Sequence, residues 1–196
     1  MEHYYSEQQK SQLKVKKIKQ KINGIHFEFC TSSGVFSKNK IDKGTLILAE
    51  NMLLDEHSNV LDIGCGIGVL GIAAAALFNS KVVMTDLNER AVMLAKKNIE
   101  LNNAKAQVFH GNLYEKVQES DFDVTLSNPP QTAGKELCFK LIEQSKNHLK
   151  SYASLQLVAR HNTGGKTLSK KMKEVFGNVK VIAKKSGYWV YMSVKD

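Results

Sequence analysis

Both prolines of this 196-residue chain follow an asparagine, in the stretch Ser127-Asn128-Pro129-Pro130. Proline fixes φ and has no backbone N–H, so the pair ends the strand that residues 122–127 predict by their alternation. One interpretation is a strand terminator and nothing more. The other is chemical, because the side-chain carbonyl of Asn128 and the carbonyl of Pro129 are stiffly held acceptors that could orient an amine with two N–H groups.

Three alternating glycines, Gly64, Gly66 and Gly68, lie in the segment DIGCGIGVLG, residues 62–71. Because glycine has no side chain, the backbone can turn sharply here and a ligand can approach it closely. The helix after the turn offers free N–H groups. Residues 66–71 fit the dinucleotide pattern G-x-G-x-x-G. Asp62, however, would repel a pyrophosphate and suits a cationic, amine-bearing ligand. Cys65 holds a place in the turn where a small residue is expected without thiol chemistry.

Two further polar residues follow predicted strands. Asp86 ends the second strand, about 20 residues beyond the glycine turn, where a carboxylate can accept hydrogen bonds from ribose hydroxyls. The alternative is a capping role at the helix that begins near Asn88. Asn112 follows the third strand. Because the carboxyl ends of parallel strands share one edge of a sheet, these side chains are expected near Asn128.

Beyond Asn59, short apolar strands alternate with helices, which predicts right-handed βαβ units. We expect an α/β, Rossmann-like doubly wound fold, with a mainly parallel seven-stranded sheet and an antiparallel strand from a C-terminal hairpin. Residues 22–31 alternate well enough for a hairpin or an edge strand. The expected organisation is a basic N-terminal segment over residues 1–21, either a solvated end or an RNA-steering arm, and a single domain over residues 22–196.

The charge balance favours polyanionic partners, nucleic acid first: 28 Lys and Arg stand against 19 Asp and Glu, a formal net charge of +9. Arg90 and Arg160 are the only arginines. Lysine suits phosphate contacts more than readout of base edges. Three scattered cysteines give no metal-binding pattern, so no metal is expected. No signal peptide or apolar run of ~20 residues is evident, so we expect a cytoplasmic protein without membrane attachment.

The chain resembles the class I S-adenosylmethionine-dependent methyltransferases, whose first motif matches D-x-G-x-G-x-G. The stretch SNPP is similar to the (D/N/S)-P-P motif of members that methylate planar exocyclic amines. The resemblance implies S-adenosylmethionine as cofactor, with Asn128, Pro129 and Pro130 as catalytic residues. It implies the following cofactor-binding residues: Asp62, Gly64, Cys65, Gly66, Gly68, Asp86, Leu87, Asn112, Leu113 and Asn128.

Longer segments, among them VLDIGCGIGVLGIAAA, SNPPQTAGKE and VFGNVKVIAKKSGYWVY, resemble the small-domain methyltransferases related to ribosomal RNA small-subunit methyltransferase C. The similarity covers about residue 22 to the C-terminus, only the catalytic half of the bacterial enzyme, and is closer to compact single-domain archaeal members. It implies methylation of the exocyclic amine of a guanine in ribosomal RNA, with ribosomal RNA or the small ribosomal subunit as partner.

The target is the least determined part of this expectation. Gln131 stands where adenine-specific and glutamine-specific relatives usually place a stacking aromatic, which favours guanine. Phe36 could close the site over the base or the sulfonium, or it could be a core residue. Methylation of tRNA, of DNA adenine or of a protein glutamine stays open. So do an NAD(P)-dependent reductase, which shares the glycine signature, and a cofactor-binding protein without catalysis.

Overall fold

The computed structural model describes residues 14–36, 40–130 and 134–196. It begins with a two-stranded antiparallel hairpin, β1 (Lys16–Ile22) and β2 (Ile25–Thr31). Asn23 and Gly24 form the turn, both at positive φ, as a two-residue hairpin loop requires. The hairpin begins at Lys16, earlier than residue 22, where the sequence predicts it. The alternation that turns Ile18 and Ile22 toward the core is difficult to recognise in KKIKQKI, because most residues of this segment are lysines.

The remaining elements alternate along the chain as the sequence predicts. They are α1 (Lys43–Asn51), β3 (Asn59–Ile63), α2 (Val69–Phe78), β4 (Lys81–Asp86), α3 (Glu89–Leu101), β5 (Ala106–His110), β6 (Phe122–Ser127), α4 (Lys135–His148), β7 (Leu149–Arg160), α5 (Gly165–Phe176), β8 (Lys180–Lys185) and β9 (Tyr188–Val194).

Seven strands form one sheet in the order β5-β4-β3-β6-β7-β9-β8. Neighbouring strands are parallel from β5 to β7, and β9 runs antiparallel to both β7 and β8. The predicted doubly wound fold with an antiparallel C-terminal strand is therefore confirmed. No helix in the described ranges is long and apolar enough to cross a membrane.

Apolar side chains cover both faces of the sheet. One face packs against α1, α2, α3 and the β1–β2 hairpin, through buried residues such as Leu48, Ile72 and Leu94. The other packs against α4 and α5, through residues such as Leu141 and Phe176. The order of the strands reverses between β3 and β6, and in open α/β sheets ligands bind at the carboxyl ends of the strands at this point.

Candidate functional site

A cavity opens at the carboxyl ends of β3, β4, β5 and β6. Most of the residues predicted for cofactor and amine line it: Phe36, Gly64, Cys65, Gly66, Asp86, Leu87, Asn112, Leu113, Asn128, Pro129 and Pro130. Asp62 and Gly68 are not part of this lining. Gln131 lies outside the described residues.

The glycine turn after β3 is tied to the end of β4. The N–H groups of Gly64 and Cys65 both donate to the carbonyl of Thr85, at 2.9 and 3.0 Å. Gly64 and Gly66 have φ values of +70° and +57°, and a Cβ built on either would point into open space. Glycine is needed here for its positive φ, and the missing side chains leave room for a ligand against the backbone.

Asp62 lies behind the turn and is fully buried. Its Oδ2 accepts from the N–H of Gly71 at 3.0 Å, which fixes the first turn of α2. Its Oδ1 has no hydrogen-bond partner among the described residues. Burial, with a smaller contribution from the nearby carboxylate of Asp86, raises the pKa of Asp62 to about 7, although the hydrogen bond from Gly71 acts in the opposite direction. A cationic group in the cavity would favour the ionised carboxylate, so the site fits a ligand that carries an ammonium or sulfonium charge.

Asp86, at the end of β4, is hydrogen-bonded to the glycine turn. Its Oδ2 accepts from the N–H of Gly66 at 2.7 Å, and its Oδ1 accepts from the N–H of Asn88 at 2.8 Å. Burial raises the pKa of Asp86, although these two N–H groups and His110 act in the opposite direction. A carboxylate oxygen has a second lone pair, so both oxygens can still accept from ligand hydroxyls.

The segment after β5 forms the next wall of the cavity. The N–H of Gly111 donates to the carbonyl of Asp86 at 3.1 Å, and the hydroxyl of Thr85 donates to the carbonyl of Leu113 at 2.8 Å. Leu113 itself has a positive φ of 51°. These bonds hold the backbone on both sides of Asn112, which lines the cavity.

Phe36 reaches the cavity because the loop that carries it is bound to the start of α3. The side chain of Asn88 donates to the carbonyl of Gly34 at 2.9 Å, and Arg90 donates to the carbonyl of Ser33 at 2.7 Å. Asn88 also caps α3 by accepting from the N–H groups of its first turn. The same residue therefore starts the helix and positions the loop.

Asn128 lines the cavity directly after β6, two strands away from Asp86 on β4, and its amide orientation follows from its partners. Its Nδ2 donates to Oδ2 of Asp42 at 3.1 Å and to Oγ1 of Thr45 at 2.8 Å. Because an ionised carboxylate only accepts, the amide nitrogen must face Asp42. The side-chain oxygen then points the other way, and it accepts no hydrogen bond from the described residues.

The two prolines are held by the strands and helix around them. The hydroxyl of Ser127 donates to the carbonyl of Ile63 at 2.8 Å, which ties the end of β6 to β3. The carbonyl of Pro130 lies 3.9 Å from the sulfur of Cys138 on α4, within reach of a weak S–H hydrogen bond. Pro129 is buried, so the elbow is rigid on both sides of its carbonyl.

Asp42 and Thr45 are site residues that sequence reasoning missed. Asp42 is the N-cap of α1, where its Oδ2 accepts from the N–H of Thr45 at 3.1 Å. An acid before a helix is a recognisable capping signal, but it does not reveal a contact with Asn128, 86 residues away. No group of three or more His, Cys, Asp or Glu residues is placed to hold a metal in the part of the chain that the structure describes.

The family model of the methyltransferase small domain matches residues 26–192. This match covers most of the chain. The chain belongs to the methyltransferase small domain family. It is a methyltransferase, and the family expected from the sequence is confirmed.

Among the relatives, the uncharacterized protein YbxB of Bacillus subtilis is 33% identical, over 99% of this chain and 98% of its own length. The ribosomal RNA small subunit methyltransferase C of Psychromonas ingrahamii is 33% identical over 82% of this chain, but only 46% of that protein is covered. The ribosomal RNA large subunit methyltransferase G of Shewanella denitrificans is 31% identical over 92% of this chain and 49% of its own length. The chain thus spans about half the length of the ribosomal RNA methyltransferases that it matches.

Among solved structures, the 16S rRNA methyltransferase RsmC of T. thermophilus, in complex with AdoMet and guanosine, superposes with a TM-score of 0.83 at 24% identity, over 95% of this chain and 52% of that one. At this identity the likeness shows the fold. A methyltransferase from Pyrococcus furiosus superposes with a TM-score of 0.68 at 27% identity, over 76% of this chain and 80% of that one.

Proposed function

We propose that this protein transfers a methyl group from S-adenosylmethionine to an exocyclic nitrogen of a nucleic-acid base, and that the base is a guanine of ribosomal RNA, methylated at N2. The observation that carries the proposal is the fixed orientation of Asn128. Its nitrogen is committed to Asp42 and Thr45, so its oxygen is available as an acceptor at the elbow.

S-adenosylmethionine, the cofactor expected from the sequence, is confirmed by the family, and AdoMet is bound in the T. thermophilus structure. It supplies a methyl group on a positively charged sulfur. In this chain, Asp86 would accept from the ribose hydroxyls, and the glycine turn would pass close to the bound molecule. Asn112 would face the adenine. Asp62, behind the turn, would hold Gly71 and favour the positive charge without direct contact.

The amine of a base is a weak nucleophile because its lone pair is delocalised into the ring. The Asn128 oxygen and the Pro129 carbonyl would each accept one N–H, which leaves the nitrogen lone pair directed toward the methyl group. The rigid prolines keep both acceptors in place before the amine arrives. As the new C–N bond forms, the bond between the methyl group and sulfur would break, S-adenosylhomocysteine would leave, and the proton that the methylated nitrogen loses would pass to solvent water, so no side chain is assigned as a general base.

Guanine and ribosomal RNA are favoured by the relatives, several of which are ribosomal RNA methyltransferases, and by the name of the T. thermophilus enzyme, which acts at N2 of a guanine in 16S rRNA. The net charge of +9 suits an RNA partner. Phe36 lies in the cavity, where it can contact the base or the sulfonium. Gln131 is proposed to contact the target base.

The proposal is tested with labelled S-adenosylmethionine and RNA from a strain that lacks the protein. We expect label in the RNA with the wild-type protein and at least a ~100-fold lower rate with Asn128→Ala, because the amine then loses a preorganised acceptor. An undiminished rate would show that Asn128 does not orient the amine.

A further inference from the structure

Positive charge is concentrated in the last part of the chain. Residues 155–196 contain nine lysines and arginines but only two acidic residues, and so carry seven of the nine net positive charges. The fold gathers part of this charge at the carboxyl end of β7, on the edge of the sheet that holds the cavity. We call this surface the basic rim, and it consists of Arg160, His161, Lys166, Lys184 and Trp189.

The side chains of the basic rim are ordered by stacking. The ring of His161 stacks on Trp189, with centroids 3.4 Å apart and planes 13° from parallel. The ammonium of Lys184 lies 4.1 Å from the centroid of the same indole. Because the imidazole covers one face of the indole, Lys184 lies over the other. The hydroxyl of Tyr191 is 2.7 Å from Nδ1 of His161 and fixes the imidazole from the side.

Two cations of the rim have no acidic partner. Lys171 pairs with Glu143 and Glu174, and Lys185 pairs with Glu50, whereas Lys166 and Lys184 form no ion pair within the described ranges. Both are exposed. Partial burial and these two lysines lower the pKa of His161. The lysines therefore present uncompensated charge beside a preordered stack.

The rim lies beside the amine end of the cavity. Strand β6 leads into Asn128, and β7 and β9 are the next two strands of the sheet. Trp189 on β9 therefore lies two strand spacings, about 10 Å, from the end of β6. A contact through Tyr188 also joins the rim to α1, the helix that carries the cavity residue Thr45. The ring of Tyr188, on which Arg160 stacks, lies 2.9 Å from where a Cβ of Gly44 would stand, at the start of α1.

We propose that the basic rim binds the sugar–phosphate backbone of single-stranded RNA next to the target nucleotide, with Lys166 and Lys184 on phosphates. The inference rests on the proposed function and adds the surface that holds the substrate. Lysine ammonium groups are suited to phosphates, and stacking that fixes Lys184 in advance lowers the entropic cost of binding. RNA is favoured over a protein partner because no residue of the rim is an exposed large hydrophobic side chain.

The test compares three forms of the full chain: wild type, Lys166→Gln/Lys184→Gln, and a control, Lys96→Gln/Lys97→Gln, which removes the same charge from the exposed side of α3. Binding of a short fluorescent single-stranded RNA of mixed sequence is followed by anisotropy between about 50 and about 200 mM salt. Each phosphate contact contributes ~0.7 to the slope of log affinity against log salt. We expect this slope to fall by about 1.4 in the rim variant alone, with roughly tenfold weaker binding at low salt.

S-adenosylhomocysteine should bind all three forms equally, since the rim does not line the cavity. Restoring the charge with Lys166→Arg/Lys184→Arg should restore RNA affinity. Equal RNA affinity and slope in the rim variant and the control would overturn the proposal. So would a rim variant that binds RNA normally yet loses activity only on assembled ribosomal subunits, because the rim would then contact a protein. If the rim variant loses RNA affinity while the wild type methylates no RNA, the proposed reaction fails and the rim proposal stands.

Discussion

Asn128→Asp replaces the amide nitrogen that faces Asp42 by an oxygen and changes little else in shape. In the wild type, this nitrogen donates to Asp42 at 3.1 Å and to Thr45 at 2.8 Å. In the variant, two carboxylates face each other at the same separation. The (D/N/S)-P-P motif accepts aspartate at this position, so the motif alone predicts a tolerated change, whereas the contact with Asp42 predicts a damaging one.

The size of the effect follows from the distance. Two unit charges 3.1 Å apart repel by about 5 kcal/mol at an effective dielectric constant of ~20. Both groups are only half-buried, the Thr45 hydroxyl can turn to donate, and the carboxyl pair can bind a proton, so we expect a loss of about 2 to 3 kcal/mol in the free energy of unfolding near pH 7. The folded variant then binds a proton that the unfolded chain does not, so its stability relative to wild type should fall as the pH rises from about 5 to about 8.

The assay is urea unfolding at these pH values, together with the rate of methyl transfer to RNA. Asp42→Asn serves as the control, since asparagine is also a good N-cap and can accept from Asn128 through its oxygen. The double variant Asp42→Asn/Asn128→Asp reverses the hydrogen bond between the two side chains. It should recover the activity and the part of the stability that charge repulsion costs Asn128→Asp, although the asparagine nitrogen in the place of Asp42 Oδ2 no longer accepts from the N–H of Thr45. If Asn128→Asp matches the wild type, or the double variant is no better than Asn128→Asp, the orientation deduced for Asn128 is wrong.

Two further predictions concern the cofactor half of the site. Asp86→Ala removes the acceptor of the Gly66 N–H and the residue expected to hold the ribose, so calorimetry should show ~10- to 100-fold weaker binding of S-adenosylhomocysteine, and a change below about twofold would contradict this role. Asp62→Asn keeps the bond to Gly71 but removes a carboxyl whose pKa is raised from 3.8 to about 7. Because the folded protein holds the proton of Asp62 more tightly than the unfolded chain does, protonation stabilises the fold below pH 3.8. This contribution is lost as the pH rises toward 7, so the unfolding free energy of the wild type should fall relative to that of Asp62→Asn between pH 3.8 and 7. Parallel pH curves would show that Asp62 is not perturbed.

Much of the site could be predicted because parallel strands bring their carboxyl ends to one edge. The glycine turn, Asp86, Asn112 and Asn128 each lie at the carboxyl end of a separate strand, and the structure places them around one cavity. The predicted pattern of strands and helices is sufficient to bring these residues together, because it determines which loops lie at the same edge of the sheet. The roles of these residues in binding and transfer remain predictions.

The remaining contacts could not be predicted because they depend on distances between segments far apart in sequence. The sequence indicates only a helix cap at Asp42, because its contact with Asn128 depends on the fold. Asp62 was expected at the ligand, but burial behind the turn is decided by the packing of α2 on β3. The sequence does not predict the start of β1 at Lys16, because exposed lysines dominate the hydropathy of residues 16–22.

The most direct test of the account is mass spectrometry of nucleosides from RNA of cells with and without the protein, with the modified position mapped to one nucleotide. The account predicts that a single N2-methylguanosine in ribosomal RNA is lost without the protein and returns with the wild-type protein but not with Asn128→Ala. An unchanged set of methylated guanines, or the loss of a methylated adenine instead, would contradict it.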